Sequence, residues 1–219
     1  MKAAEAIQKT GLILQENYKN KGFKYKKADK YLIRSSGDFS YLVILYSIRG
    51  NKEGINITLC VDLAINCDKA IQDMPVGQLF YFRLLEQEHS FYNIATDDLI
   101  AQSVKDISAK IDAILIPFID KLEGDLSKHE QEWITNGFFS DKKGYIGSGL
   151  GFVMNLKFIA AYFGKNKAEE CLKNYISTLT PEERQVFMDT LTGKIEYKHF
   201  KISMHAKFLE AKELGLKVI

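Results

Sequence analysis

Ile55-Asn56-Ile57-Thr58-Leu59-Cys60-Val61-Asp62-Leu63 is the stretch from which the rest of the chain is read. Ile55, Ile57, Leu59, Val61 and Leu63 recur at every second position, the period of a strand with one buried face. Upstream, Phe39–Ile48 (FSYLVILYSI) is rich in aromatic and β-branched residues and reads as a second strand. Asn51–Gly54 supplies turn chemistry between the two. Phe23 and Tyr25, then Tyr31 and Ile33, alternate with polar residues on either side of Ala28-Asp29, which predicts two shorter strands. Pro75 and Gly77 break the connection that follows Leu63. Gln78–Glu88 is expected to form a further strand, although Leu84-Leu85 interrupts its alternation.

Helices flank this run of strands. Residues 3–19 place Ala3, Ile7, Leu14 and Tyr18 on one face, and Lys21-Gly22 ends the pattern. From Thr96 the period lengthens again. Ile100, Val104, Ile107, Ile111, Ile114, Phe118 and Leu122 recur at steps of three or four, an amphipathic stripe expected to lie on the sheet. Thr96 is a candidate cap, Asp97 and Asp98 suit the first turn, and Pro117 is expected to kink the helix near its end. Glu123-Gly124-Asp125 closes it. Beyond lie a short helix at 126–135, helices at 152–163 and 167–179, and a helix opened by Thr180-Pro181-Glu182-Glu183. In that signal Thr caps, Pro takes the first position and Glu stands three after the cap. Phe200, Met204, Phe208, Ala211 and Leu214 predict a last helix, with a strand over 195–204 as the alternative.

Strands segregated from helices predict an α+β fold. The expected architecture is a mainly antiparallel sheet packed by a leading helix and a long helix, followed by a helical C-terminal region. The change of pattern divides the chain into residues 1–123, an α+β domain, and residues 124–219.

Composition narrows the function classes. The chain has 219 residues, 46% hydrophobic and 26% charged, which argues against disorder. Thirty basic against 28 acidic residues leave a net charge of +2, too even to advertise a nucleic-acid binder. Three cysteines without a CxxC pair suggest neither a disulfide framework nor a zinc site. Glu5, Gln8 and Lys9 interrupt any signal-like apolar run, and no stretch reaches the ~20 apolar residues of a membrane span. The expected location is cytoplasmic, with Cys60, Cys67 and Cys171 reduced and no membrane partner.

The motifs with chemical content each have a plain alternative. Gly144, Gly147, Gly149 and Gly151 invite a phosphate loop. However, Phe152 stands where a dinucleotide fingerprint needs Gly, and Leu150 where a P-loop needs Lys, so a loop leading into a helix is expected. Residues 19–34 carry Lys19, Lys21, Lys24, Lys26, Lys27, Lys30 and Arg34 against Asp29 alone, interleaved with Phe23, Tyr25 and Tyr31. Such a segment can track a nucleic-acid backbone, but the chain is nearly neutral and holds no nucleic-acid motif, so an edge hairpin protected by lysines is the expected reading. Glu86, Glu88 and His89, followed by Asp97 and Asp98, could bind a metal or do acid–base work, but a solvated loop and helix start is the expected reading. His129, His199 and His205 have no ligand spacing with a cysteine, and no serine sits in a nucleophile elbow. Trp133, the only tryptophan, is expected to pack between the two regions.

Several pieces in order also carry a family resemblance. They are the leading helix meeting Gly22-Phe23-Lys24, the strand near Tyr31, the run Ile55–Leu63, the aromatic strand ending in Phe80–Arg83, and the long helix ending Ile116-Pro117-Phe118-Ile119-Asp120-Lys121-Leu122. Over residues 3–122 the chain resembles the bacterial family named domain of unknown function 4304. That resemblance brings no catalytic residue with it. No catalytic, cofactor-binding or metal-ligating residue is expected, and no cofactor. The expected function is a non-enzymatic binding or accessory module with a protein partner, of the neutralising or immunity type by analogy. The alternatives are a small enzyme using the carboxylates and His of Glu86–Asp98, and a nucleic-acid binder through residues 19–34. A flat sheet face or edge would favour binding, and a concave pocket holding Glu86, His89 and Asp97 would favour the enzyme.

Overall fold

The structure, a computed structural model, describes residues 1–48, 50–70, 78–84, 91–136, 156–195 and 202–217. These form two compact units. The described residues of the first are 1–48, 50–67, 78–84 and 91–124, and those of the second are 68–70, 125–136, 156–195 and 202–217. The fold is α+β, with an antiparallel sheet, a leading helix and a long helix in the first unit and helices in the second.

The sheet of the first unit runs β1 (Lys24–Lys26), β2 (Tyr31–Ser36), β3 (Phe39–Tyr46), β4 (Thr58–Cys67) and β5 (Gln78–Leu84) in spatial order, and β6 (Tyr92–Asn93) pairs with the start of β4. All pairings are antiparallel. The run Ile55–Leu63 therefore falls on an interior strand, β4, with one adjustment. β4 starts at Thr58, and Ile55 lies in the turn before it with 71% of its surface exposed. A bridge between Lys52 and Asn56 closes that turn, and the Asn51 side-chain carbonyl accepts from the Thr58 amide at 2.9 Å. The turn chemistry thus runs to Asn56, past the first apolar residue of the alternation. A second difference is in burial. Period 2 predicted one buried face, yet Thr58, Cys60, Asp62 and Ala64 are buried as fully as Leu59, Val61 and Leu63. β4 is therefore buried on both of its faces along this stretch, and a polar residue there is no proof of exposure.

One face of the sheet packs on helices. Tyr25, Leu32, Tyr41, Val43 and Leu63 share it by register. α1 (Ala3–Tyr18) buries Ala6, Ile7, Leu14 and Tyr18 and packs on β1, β2 and β3. α2 (Asp97–Lys110) starts where the Thr96 hydroxyl accepts from the Leu99 amide, and it buries Ile100, Val104 and Ile107. The helix continues through a π turn, Ile111–Leu115, into α3 (Ile116–Glu123). This is where Pro117 acts. A proline cannot donate to the carbonyl four residues back and crowds it. Widening the preceding turn, so that the Ile116 amide donates to the carbonyl of Ile111, opens the space it needs. The wide turn also shifts the phase of the stripe. Ile119 is buried and Phe118 only half-buried, the reverse of what an uninterrupted α-period required, with Leu115 and Leu122 completing the core.

The second unit holds α4 (Glu130–Asn136), α5 (Leu156–Phe163), α6 (Lys165–Ser177), α7 (Pro181–Leu191) and α8 (Ile202–Glu213). Thr180 and Glu183 form the reciprocal cap expected of them. Trp133 is fully buried, its ring against Phe158, Phe163 and His129, three residues of this same unit. It belongs to the core of the helical unit. Among the described residues, no helix is long and apolar enough to cross a membrane.

Candidate functional site

The second face of the sheet carries the densest unexplained chemistry. Register alone places its members. Lys24 lies opposite Ile33, and Ile33 opposite Leu42; Lys26 lies opposite Tyr31, and Tyr31 opposite Ile44. Ile44 then pairs with Asp62, and Asp62 with Arg83. Directly paired residues of an antiparallel sheet point to the same side. One row therefore reads Lys26, Tyr31, Ile44, Asp62, Arg83 across five strands. A face turned to water usually alternates to polar residues. Here β2 and β3 present Tyr31, Ile33, Leu42, Ile44 and Tyr46, all half-buried.

Both ends of this strip are charged, in different ways. At one end Lys24 and Lys26 are exposed on β1, with Lys27 and Lys30 exposed in the turn that follows. Among the described residues none of these four has a carboxylate partner. The other cations of the basic segment are engaged. Lys19 pairs with Glu16, Lys21 stands 3.8 Å from Asp112, and Arg34 pairs with Glu123 while its guanidinium lies over the Tyr41 ring. The basic run is thus part scaffold and part surface.

At the other end, Asp62 is buried and holds Arg83. The guanidinium Nε donates to Asp62 Oδ1 at 2.9 Å, and Nη2 donates to the Tyr46 hydroxyl. Burial holds the Tyr46 phenol well above its ordinary range, and the nearby Asp62 carboxylate adds to that. Burial likewise pushes the Cys60 thiol up, against the opposing pull of Arg83. A thiol kept protonated in this way is a poor nucleophile. The cluster neutralises its own charge and fixes the far border of the strip.

The edge itself is closed to strand addition. The outward backbone amide of β1 is that of Tyr25, and it donates to the Gln15 side-chain carbonyl at 2.7 Å. The Tyr25 ring is seated on α1 at Gly11, where a Cβ in place of the glycine hydrogen would lie 2.4 Å from the ring carbons. Gln15 and Gly11 together fix β1 so that it presents its lysines and keeps back its edge amide.

A second feature lies where α1 meets the π turn. An open groove of about 480 Å³ is lined by Tyr18, Asn20, Lys21, Ser108 and Asp112, among others. Its polar groups are stitched across it. The Tyr18 hydroxyl donates to the Ser108 carbonyl at 2.8 Å, and the Asn17 amide donates to the Ser108 hydroxyl at 3.4 Å. It is a seam that ties the end of α2, just before the wide turn, to α1.

Glu86, Glu88, His89 and the glycine-rich 144–151 lie outside the described residues. Asp97 pairs with Lys9 at 2.7 Å in the first turn of α2, and Asp98 is exposed beside it. All three cysteines are buried and none is in a disulfide. The sequence reading did not single out Asp62, Arg83 and Tyr46 as a group. The signal was an acidic residue at a non-apolar position of the strongest strand, which pairing alone turns into a site. In comparisons with family models, curated proteins and solved structures, none matches this chain significantly.

Proposed function

We propose that the chain is a non-enzymatic binding module whose partner is a protein, docked on the second face of the sheet. One observation carries this reading: the apolar strip of Tyr31, Ile33, Leu42 and Ile44 is bordered by exposed Lys24 and Lys26 on the same face. An apolar centre with a charged border is the anatomy of a protein interface. A nucleic-acid reading draws on the same lysines together with Tyr31, but the rest of the strip, Ile33, Leu42 and Ile44, is aliphatic, which suits a protein core better than stacked bases.

The test is a photo-crosslinking residue at Ile33, with a second at Glu5 on α1 as the control. The expected result is a discrete adduct from Ile33 that survives nuclease and is removed by protease. An adduct removed by nuclease would make the nucleic-acid reading the leading one. Identical patterns from the two positions would end the proposal.

A further inference from the structure

We infer that the occupant of this face is a short amphipathic helix whose one flank is acidic; the inference rests on the binding reading above. Three features define it. The first is width. Tyr31 and Ile33 on β2 with Leu42 and Ile44 on β3 make a strip two strands wide, about 10 Å at the spacing of a sheet. That matches one α-helix with its side chains, about 10–12 Å across. Leu42 to Tyr46 along β3 gives it a length of about 13 Å, or two to three helical turns.

The second feature is charge. Lys24 and Lys26 border the strip along β1, with Lys27 and Lys30 following. On the β4 side Asp62 and Arg83 cancel one another. The positive field is therefore one-sided, and it selects acidic residues on the flank that faces β1. A helix running along the strands with Glu or Asp at that flank meets both requirements at once. The third feature removes the main rival within proteins. An extended peptide adding to the edge needs the outward Tyr25 amide, which Gln15 already occupies at 2.7 Å.

The experiment uses the full chain and three synthetic peptides. One is a helix with leucine along a single stripe and glutamate on its flanks. The second is its scrambled isomer, and the third carries lysine in place of glutamate. Binding is read by fluorescence anisotropy at two salt concentrations, and its place by hydrogen exchange. The Leu/Glu helix is expected to bind saturably and to protect β2 and β3. The pair Lys24→Glu and Lys26→Glu lies at exposed positions and should leave the circular dichroism unchanged. It should weaken that peptide by about tenfold at low salt and give the Leu/Lys helix a corresponding gain. No saturable binding, equal binding of the scrambled isomer, protection elsewhere, or displacement by a single-stranded oligonucleotide would each overturn the inference. A protein adduct at Ile33 with no helix binding would sink this inference and leave the binding reading standing. Loss of the adduct as well would sink both.

Discussion

Replacing Gly11 by alanine tests how the sheet edge is held. Gly11 lies in the interior of α1, where glycine costs about 1 kcal/mol relative to alanine. On helix propensity alone, Gly11→Ala should stabilise the chain by that amount. The structure reverses the sign, because the new Cβ would stand 2.4 Å from two carbons of the Tyr25 ring. Tyr25 must then move. Overpacking of this kind costs about 1–3 kcal/mol, so the expected net effect is a loss of about 0–2 kcal/mol. The coupling shows in a double-mutant cycle. With Tyr25→Ala the ring is gone, and Gly11→Ala should become stabilising by about 0.5–1 kcal/mol. Tyr25→Phe is the control. It keeps the ring and removes a buried hydroxyl that has no hydrogen-bond partner among the described residues, so the alanine at 11 should cost as much as in the natural chain. Urea unfolding followed by circular dichroism reads all these variants. Tryptophan fluorescence would not serve, since Trp133 reports on the second unit. If Gly11→Ala shifts stability by the same amount with tyrosine and with alanine at 25, close approach is not the reason for this glycine.

Ile107 is fully buried on α2, so Ile107→Ala should lower stability by about 2–5 kcal/mol in urea, and an unchanged midpoint would mean that its face is misassigned. Thr180→Ala removes the cap of α7 and should cost about 1 kcal/mol by the same measurement. Burial raises the Glu210 carboxyl above its ordinary value of 4.5, with Lys207, Lys157 and Glu213 as the charges around it, and Glu210 accepts from the Leu156 amide at 2.9 Å. A carboxyl raised on folding contributes stability that is present below the unfolded value and is lost as pH rises through the folded one. Trp133 fluorescence should therefore show the second unit weakening over that rise, and Glu210→Gln, which keeps an acceptor and removes the charge, should flatten the dependence.

What the sequence made legible was what short-range periodicity controls. The alternation of Ile57–Leu63, the stripe from Ile100 to Ile111 and the compound start at Thr180 each reflect a local period or cap, and each reappears in the element it foretold. The misplacements occur where one residue changes the local count. Pro117 is visible in the sequence, but its effect travels backwards. The turn before it widens, one residue is absorbed, and the core position passes from Phe118 to Ile119. A helical wheel drawn at constant pitch cannot show this. Ile55 is misplaced for a similar reason, because the turn is closed by the pairing of Lys52 with Asn56, which no residue type in the turn announces.

The candidate face was legible only by halves. Lys24 and Lys26 stood out by charge, and Tyr31, Ile33, Leu42 and Ile44 by strand pattern, yet nothing in the sequence joined them. Facing depends on register, and a shift of one residue would turn every side chain to the opposite side. With the observed register, Lys24 meets Ile33 and Lys26 meets Tyr31, so charge and apolar surface fall on one face. A slip of β1 by one position would send both lysines towards α1 and Tyr25 towards the strip. What prevents the slip is long-range: Gly11 admits the Tyr25 ring and Gln15 takes its amide. Two residues of the leading helix thus determine which chemistry the far side of the sheet displays. A variant that loosens them should blunt binding on that face without touching a single residue of it.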